Sequence, residues 1–309
     1  MKTSTSKRLR WNVAIWLAAG LFMTSTAGMA AGPIMPDPKA EARHQPQIEE
    51  TANGIPLVNI TAPSSGGVSR NEYETFNVPD KGAILNNSYT LSKTELAGYV
   101  QGNNNMAERP AKIIVNEVTG AGSTAMDGFL EVAGNRADVV IANPNGITVN
   151  GGGFINTGKA FLTTGKPVYD GEDHLQRFDI TGGDILIEGK GLGGKETGSL
   201  AILSRAVKIN AGIWAKDLHI TTGANTVDAK TLEASAIEGK GGRPAFALDT
   251  AAIGGMYAGR ITLVGTEKGL GVNNSGTWSA EDNLTLDWNG DLKNSGTIYS
   301  KGNTDLRAS

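Results

Sequence analysis

The sequence predicts an all-β protein wound as a right-handed parallel β-helix (solenoid), and three observations predict it. From about Ile55 onward, β-branched-rich segments of four to seven residues are cut by Gly, Asn and Asp, the pattern of short strands bounded by turn formers. In the last third a corner tetrapeptide recurs unchanged: Asn274-Ser275-Gly276-Thr277 returns as Asn294-Ser295-Gly296-Thr297, an offset of 20 residues. Finally, 309 residues hold 42 glycines and no cysteine, so backbone pairing and apolar packing must do the work of a disulfide scaffold. The glycines lack a collagen period and 39 % of residues are apolar, which excludes a triple helix and a disordered tract.

The first 30 residues stand apart from the rest. Lys2, Lys7, Arg8 and Arg10 form a basic start, Val13 to Met23 is apolar, and Gly28-Met29-Ala30 places small residues before a cut after Ala30. This is the pattern of a cleaved signal peptide. An apolar core near 11 residues falls short of the roughly 20 that a spanning helix needs. No second apolar run of that length follows, so no transmembrane segment is expected in the mature chain. Losing four cations and no acids takes the formal net charge from −3 to −7, a poor match to nucleic acid. Seven of the 11 prolines fall between residues 32 and 79, and residues 31–54 read as a flexible linker.

Strand segments follow in order at Lys112 to Val118, Asp138 to Ala142, Asp184 to Glu188, Ala201 to Ser204, Asp217 to Thr221, Arg260 to Val264 and Asn283 to Asp287. Ser92-Lys93-Thr94-Glu95 has capping-box spacing and predicts one or two helical turns before Gly98. The 20-residue offset also matches Trp278 with Ile298 and Leu286 with Leu306, and Gly212 to Ile220 reads as a diverged copy. Such a period with Gly and Asn corners suits coils stacked at about 4.8 Å. The competing fold is a β-sandwich, whose strands recur without identical corners. The repeat breaks off within Asp305 to Ser309, where a solenoid would need a cap. The sequence is therefore expected to be the front of something longer or a truncated reading frame.

The densest signal runs from Phe76-Asn77-Val78 through Gly82 to Ser88, Ile114 to Gly120, Glu131 to Gly134, Ala137 to Ile147 and Phe154 to Thr157, ending at Leu162 to Pro167. This order resembles the secretion domain of two-partner secretion exoproteins. These are filamentous haemagglutinin-like proteins, with calcium-independent haemolysins and contact-dependent growth inhibition proteins among their relatives. The resemblance covers about Ile55 to Gly276. It implies a secretion domain over 55–253 and the start of haemagglutinin-type repeats over 254–309. It further implies an N-terminal cap and short extra-helical β-hairpins on the β-helix. The implied route is export through the periplasm, recognition by a cognate outer-membrane β-barrel transporter through its periplasmic domains, and folding outside the cell. The protein would then be secreted or held at the outer surface, where host or neighbouring-cell glycans or proteins are further partners.

Two tetrapeptides in that family are associated with recognition by the transporter. One is intact as Asn143-Pro144-Asn145-Gly146, followed by Ile147. The other, Asn-Pro-Asn-Leu in the family, stands altered as Asn103-Asn104-Asn105-Met106. Physically the intact one is a strong turn: Pro144 fixes φ, Asn145 is able to enter left-handed space and Gly146 relieves the exit. A purely structural corner of the coil accounts for it equally well. Val149 to Gly153 occupies the segment where one branch of the family carries a Cys-x-x-Cys pair, which favours the haemagglutinin-like branch.

A secreted carbohydrate-active β-helix enzyme is the alternative function. Glycoside hydrolysis needs two carboxylates roughly 5–10 Å apart, and Asp170, Glu172 and Asp173 gather beside His174. On an extended loop such neighbours diverge, so they read as a solvated polar loop. His219 alternates with Leu218 and Ile220 and is expected to face solvent, and His44 lies in the linker. Gly191 to Gly194 and Gly239 to Gly242 read as loops, and Asp217 and Asp282, each before a strand, would bind calcium only if further oxygens converged on them. No catalytic residue, cofactor or metal ligand is expected.

Overall fold

Each coil of the chain lays its strands parallel to those of the coil before. The computed structural model describes residues 33–107 and 109–308, so the expected signal peptide lies outside the described residues. The strands form three faces. The first carries Pro56–Asn59, Ala83–Asn87, Phe129–Gly134, Gly152–Ile155 and Leu192–Gly194, the front halves of Gly212–Thr222 and Gly255–Gly265, then Thr277–Ala280 and Thr297–Ser300. The second carries Val68–Phe76, Ile113–Val118, Ala137–Ala142, Thr157–Thr163 and Ser199–Ser204, the back halves of the two long strands, then Leu284–Trp288 and Thr304–Ala308. The third is a 7-stranded sheet from Thr124–Met126 to Leu292–Asn294. This is the parallel β-helix expected from the sequence.

Because side chains alternate across a strand, every second residue points inward and stacks on its counterpart one coil on. Ile141, Leu162, Ile202, Ile220, Leu263, Leu286 and Leu306 form one such column. All but Leu306 are 0 % exposed, and burying each stabilises the fold by about 1.5–3 kcal/mol. The 20-residue repeat is realised as register: Asn274 pairs with Asn294, Trp278 with Ile298 and Leu286 with Leu306. The Asn274 side-chain amide donates to Asn294 Oδ1 at 2.8 Å, tying one coil to the next.

Two antiparallel layers lie outside the coil. Lys166–Tyr169, Leu175–Ile180, Asn225–Asp228 and Ala234–Ala236 form a 4-stranded sheet whose Phe178, Ile180 and Val227 pack on Val140, Phe161 and Leu203 of the second face. The hairpin Ser92–Thr94 and Gly98–Val100 places Val100 and Leu96 against Ile84 and Ala133 of the first face. This hairpin replaces the helical turns that the capping-box spacing predicted. Thr94 Oγ1 accepts from Ala97 N at 3.1 Å, and the N–H groups of Glu95 and Leu96 go to the Glu131 carboxylate at 2.7 and 2.9 Å. A neighbouring coil satisfies the donors that a helix would have left free.

Residues 33–54 also differ from the linker expected there. Ile34–Pro36 pairs antiparallel with Val68–Phe76, and Gln47–Glu50 with Pro56–Asn59, so the segment is built into the amino-terminal end of the coil. Its prolines sit at edges and turns, where a missing N–H costs no ladder bond. Leu192–Gly194, read as part of a loop, is a strand stacked on Gly152 and Gly153. Among the described residues there is no α-helix, and no helix is long and apolar enough to cross a membrane.

Candidate functional site

The strand Ala137–Ala142 delivers Asn143 to the corner between the second and third faces, and Ile147–Val149 begins the third. Asn143 is 0 % exposed. Its Oδ1 accepts from Asn145 N at 2.9 Å, and its Nδ2 donates to Gly122 O and Thr124 Oγ1 at 2.9 and 3.0 Å. Gly146 N closes the turn on Asn143 O at 3.1 Å, and Asn143 N reaches Thr163 O at 2.9 Å. Asn145 Nδ2 donates to Gly120 O at 2.8 Å. Pro144 and Asn145 are exposed, whereas Ile147 is buried in the core. Gly146 takes φ +111° and Asn145 keeps a negative φ, so the left-handed step falls on the glycine, not on the asparagine as the sequence suggested.

The altered tetrapeptide is built in the same way. Asn103 is 2 % exposed, its Oδ1 accepts from Asn105 N at 3.0 Å, and its Nδ2 donates to Ile60 O and Asn86 O, both at 2.9 Å. Met106 N closes on Asn103 O at 3.1 Å, while Asn103 N reaches Ser88 O at 2.6 Å. Asn105 Nδ2 donates to Ile60 O at 3.1 Å. Asn104, in the place of proline, is exposed, and Met106, in the place of leucine, is buried in the core. The substitutions therefore preserve both the crest and the anchor of the turn. In each turn the first asparagine is a fully satisfied buried amide whose removal would strand several buried partners.

The polar loop from Asp170 to His174 is tighter than its sequence implies. Asp170 Oδ1 accepts from Glu172 N and His174 N at 3.0 and 2.9 Å, and Asp170 Oδ2 lies 2.9 Å from His174 Nδ1. Asp170 and His174 thus converge rather than diverge, and the backbone bonds to His174 and Glu172 hold the Asp170 carboxyl below its usual range. Asp173 takes the Arg43 guanidinium at 2.5 Å. These carboxylates fasten the loop to itself and to the amino-terminal segment. Asp217 is paired with Arg260 at 3.0 Å. No group of three metal-capable side chains occurs among the described residues.

His44 and His219 also depart from expectation. His219 does point outward, but it is half-buried, bonds Thr221 Oγ1 at 2.8 Å, and is pushed down to about 4 by burial. His44 is 4 % exposed and places Nδ1 3.0 Å from Glu72. Arg70 joins it, 2.9 Å from Glu72 and 3.4 Å from Glu117, with its guanidinium 4.5 Å above the Tyr169 ring. Burial, then the Arg70 charge, lowers His44, and burial raises Glu117. This buried knot joins the amino-terminal segment, two coils and the outer sheet. Nothing in the sequence marked it, because its members lie up to 125 residues apart.

The family model described as TPS secretion domain matches residues 33–298. "Toxin CdiA" of Yersinia pestis is 43 % identical over 298 residues, which cover 89 % of this chain and 9 % of that protein. "16S rRNA endonuclease CdiA" of Enterobacter cloacae subsp. cloacae is 44 % identical over 264 residues, covering 85 % of this chain and 8 % of that protein. The chain thus spans less than a tenth of these relatives. Among solved structures, the crystal structure of the filamentous hemagglutinin secretion domain superposes with a TM-score of 0.77 at 32 % identity, covering 90 % of this chain and 96 % of that one.

Proposed function

The chain belongs to the TPS secretion domain family, and from that premise we propose that its two asparagine turns act twice, first in recognition and then in folding. Members of this family are exoproteins exported through the periplasm and secreted or displayed at the outer surface, and this chain is the secretion domain of one. The partner that this implies is an outer-membrane transporter. In our reading the transporter's periplasmic domains engage the chain while it is unfolded, with extended segments adding strands to the partner's sheet edges. Outside the cell the same asparagines close the first coils.

The observation that carries this reading is the congruence of the two turns together with the burial of Asn143 and Asn103. Amides with 0 % and 2 % exposure are unavailable to a partner once the coil has closed, so recognition through them precedes folding. The domain itself needs no chemistry for this role, and we place the nuclease activity named in some relatives outside the matched segment. Cell-surface glycans or proteins are further partners of the folded, displayed domain.

The test replaces Asn143 and Asn145 together by alanine and follows secretion through the cognate transporter, alongside binding of the urea-unfolded and folded chains to the transporter's periplasmic domains. We expect the unfolded parent to bind, the folded parent not to, and the variant to be secreted poorly. Undiminished secretion of the variant would overturn the reading. Pro144→Ser alters the exposed crest alone and separates turn closure from contact.

A further inference from the structure

One outward column of the first face is made of rings and glycines. Phe129, Gly153, Gly193, Trp214, Tyr257, Ser279 and Tyr299 are successive register partners. The rings lie along the sheet rather than standing off it. A Cβ on Gly212 or Gly191 would meet the Trp214 ring at 2.5 and 3.0 Å, and one on Gly255 would meet the Tyr257 ring at 2.8 Å. Phe129 covers Gly153 in the same way. Phe129, Trp214 and Tyr257 therefore each have one face bedded on glycine backbone and the other turned outward.

The Trp214 and Tyr257 planes are 16° apart with centroids separated by 6.1 Å. At that offset the rings overlap as shingles, and neither hides the other's outer face. Tyr257 is 39 % and Tyr299 50 % exposed, with Trp214 half-buried. The surrounding outward positions are small or polar: Gly259, Thr277 and Ser279, with exposed Lys216 at the edge.

We propose that this column is a stacking platform for pyranose rings, with Trp214 and Tyr257 as its centre. A flat, apolar, narrow strip with hydroxyl groups at its margins matches a sugar, whose C–H face is apolar and whose rim is hydroxylated. A stable protein partner would need about 800 Å² of packed surface on each side, and glycines and serines between isolated rings do not supply the aliphatic bulk of such a patch. The repeat of one position per coil, about 4.8 Å, lets a linear glycan run along the coil axis over successive rings. The proposal deepens the reading of the folded domain as a surface-displayed module, yet its test in solution does not depend on transport.

Cellohexaose and chitohexaose are titrated into the folded chain while tryptophan emission is followed. Trp278 and Trp288 are buried in the core, so Trp214 is the reporter among the described residues. We expect a saturable emission change with at least one of the two sugars. Tyr257→Ser, which copies the residue one coil on, weakens that binding about fivefold, and Ser279→Tyr, which fills the gap before Tyr299, strengthens it about threefold. Thermal melts confirm that both variants fold. Secretion of Tyr257→Ser stays at the parent level, which keeps a failure here distinct from a failure of the transport reading. No saturable change with either sugar, or Tyr257→Ser binding like the parent, overturns the platform. So does an emission change that follows protein concentration alone, since the surface would then join copies of the chain.

Discussion

The coils before Ser204 and those after Gly255 share one inward core but differ in everything outside it. In the earlier coils Val139, Val140, Ile141 and Ala142 are all 0 % exposed, because the second face is packed from inside by the core and from outside by the 4-stranded sheet. In the later coils only alternate residues are buried: Ile261 and Leu263 are 0 % exposed while Thr262 and Val264 are half-open. The earlier coils are irregular in length and joined by buried asparagines at two corners. The last two of the later coils repeat at 20 residues and are joined by an asparagine pair. Covered on both sides and tied at the turns, the amino-terminal coils have the means to stand first. Coils covered on one side only need a finished neighbour to stack upon.

The comparison is broken most severely at the outer sheet. Phe178→Ala removes a side chain with 0 % exposure from between the two layers and should cost about 3–4 kcal/mol in a denaturant melt, whereas Tyr299→Ala on the open coils should cost less than about 0.5 kcal/mol. Equal losses would mean that the outer sheet adds little. Asn143→Ala comes next, at about 2–3 kcal/mol, because Gly122 O, Thr124 Oγ1 and Asn145 N all lose a partner.

A pH effect of about 2 kcal/mol is expected at the border of the two regions, where His219 lies between Ala201 and Thr262. Its ordinary value of 6.5 falls to about 4 on burial, so between those values the unfolded chain binds the extra proton. Its contribution is complete above about pH 6.5 and is lost as pH falls towards 4. His219→Gln should flatten that part of the stability profile relative to the parent; an unchanged slope refutes the assignment. A loss of about 1 kcal/mol, below that at His219, is expected from Asn274→Ala, which breaks one rung of the ladder to Asn294, read as a lowered melting temperature of the open coils.

How much of this was legible depended on whether a signal was local. Of the seven strand segments picked out in the sequence, six lie on the second face and only Asp184–Ile187 on the third. The second face stands out because burial from two sides writes near-continuous apolar runs such as Val139 to Ala142. The third face, with strands of three or four residues, is too short to show a period. The asparagine tetrapeptides were visible as turns, but which amides are buried was not, since their acceptors come from coils 19 to 45 residues away. Proline content misled at residues 33–54 because edge strands tolerate it, and the Ser92 to Glu95 spacing misled because Glu131, from another coil, took the backbone donors.

Local signals suffice for the coil: the strand composition, the 20-residue register and the corner residues all follow from side-chain alternation and turn chemistry. What the coil carries depends on contacts between distant coils. The His44–Arg70–Glu117 knot, the double cover over the second face and the ring column from Phe129 to Tyr299 each join residues far apart in the chain, and stacking at about 4.8 Å per coil brings them together. Insertions such as the one between Ala215 and Ala258, register partners 43 residues apart, erase any fixed spacing by which those contacts might have been read.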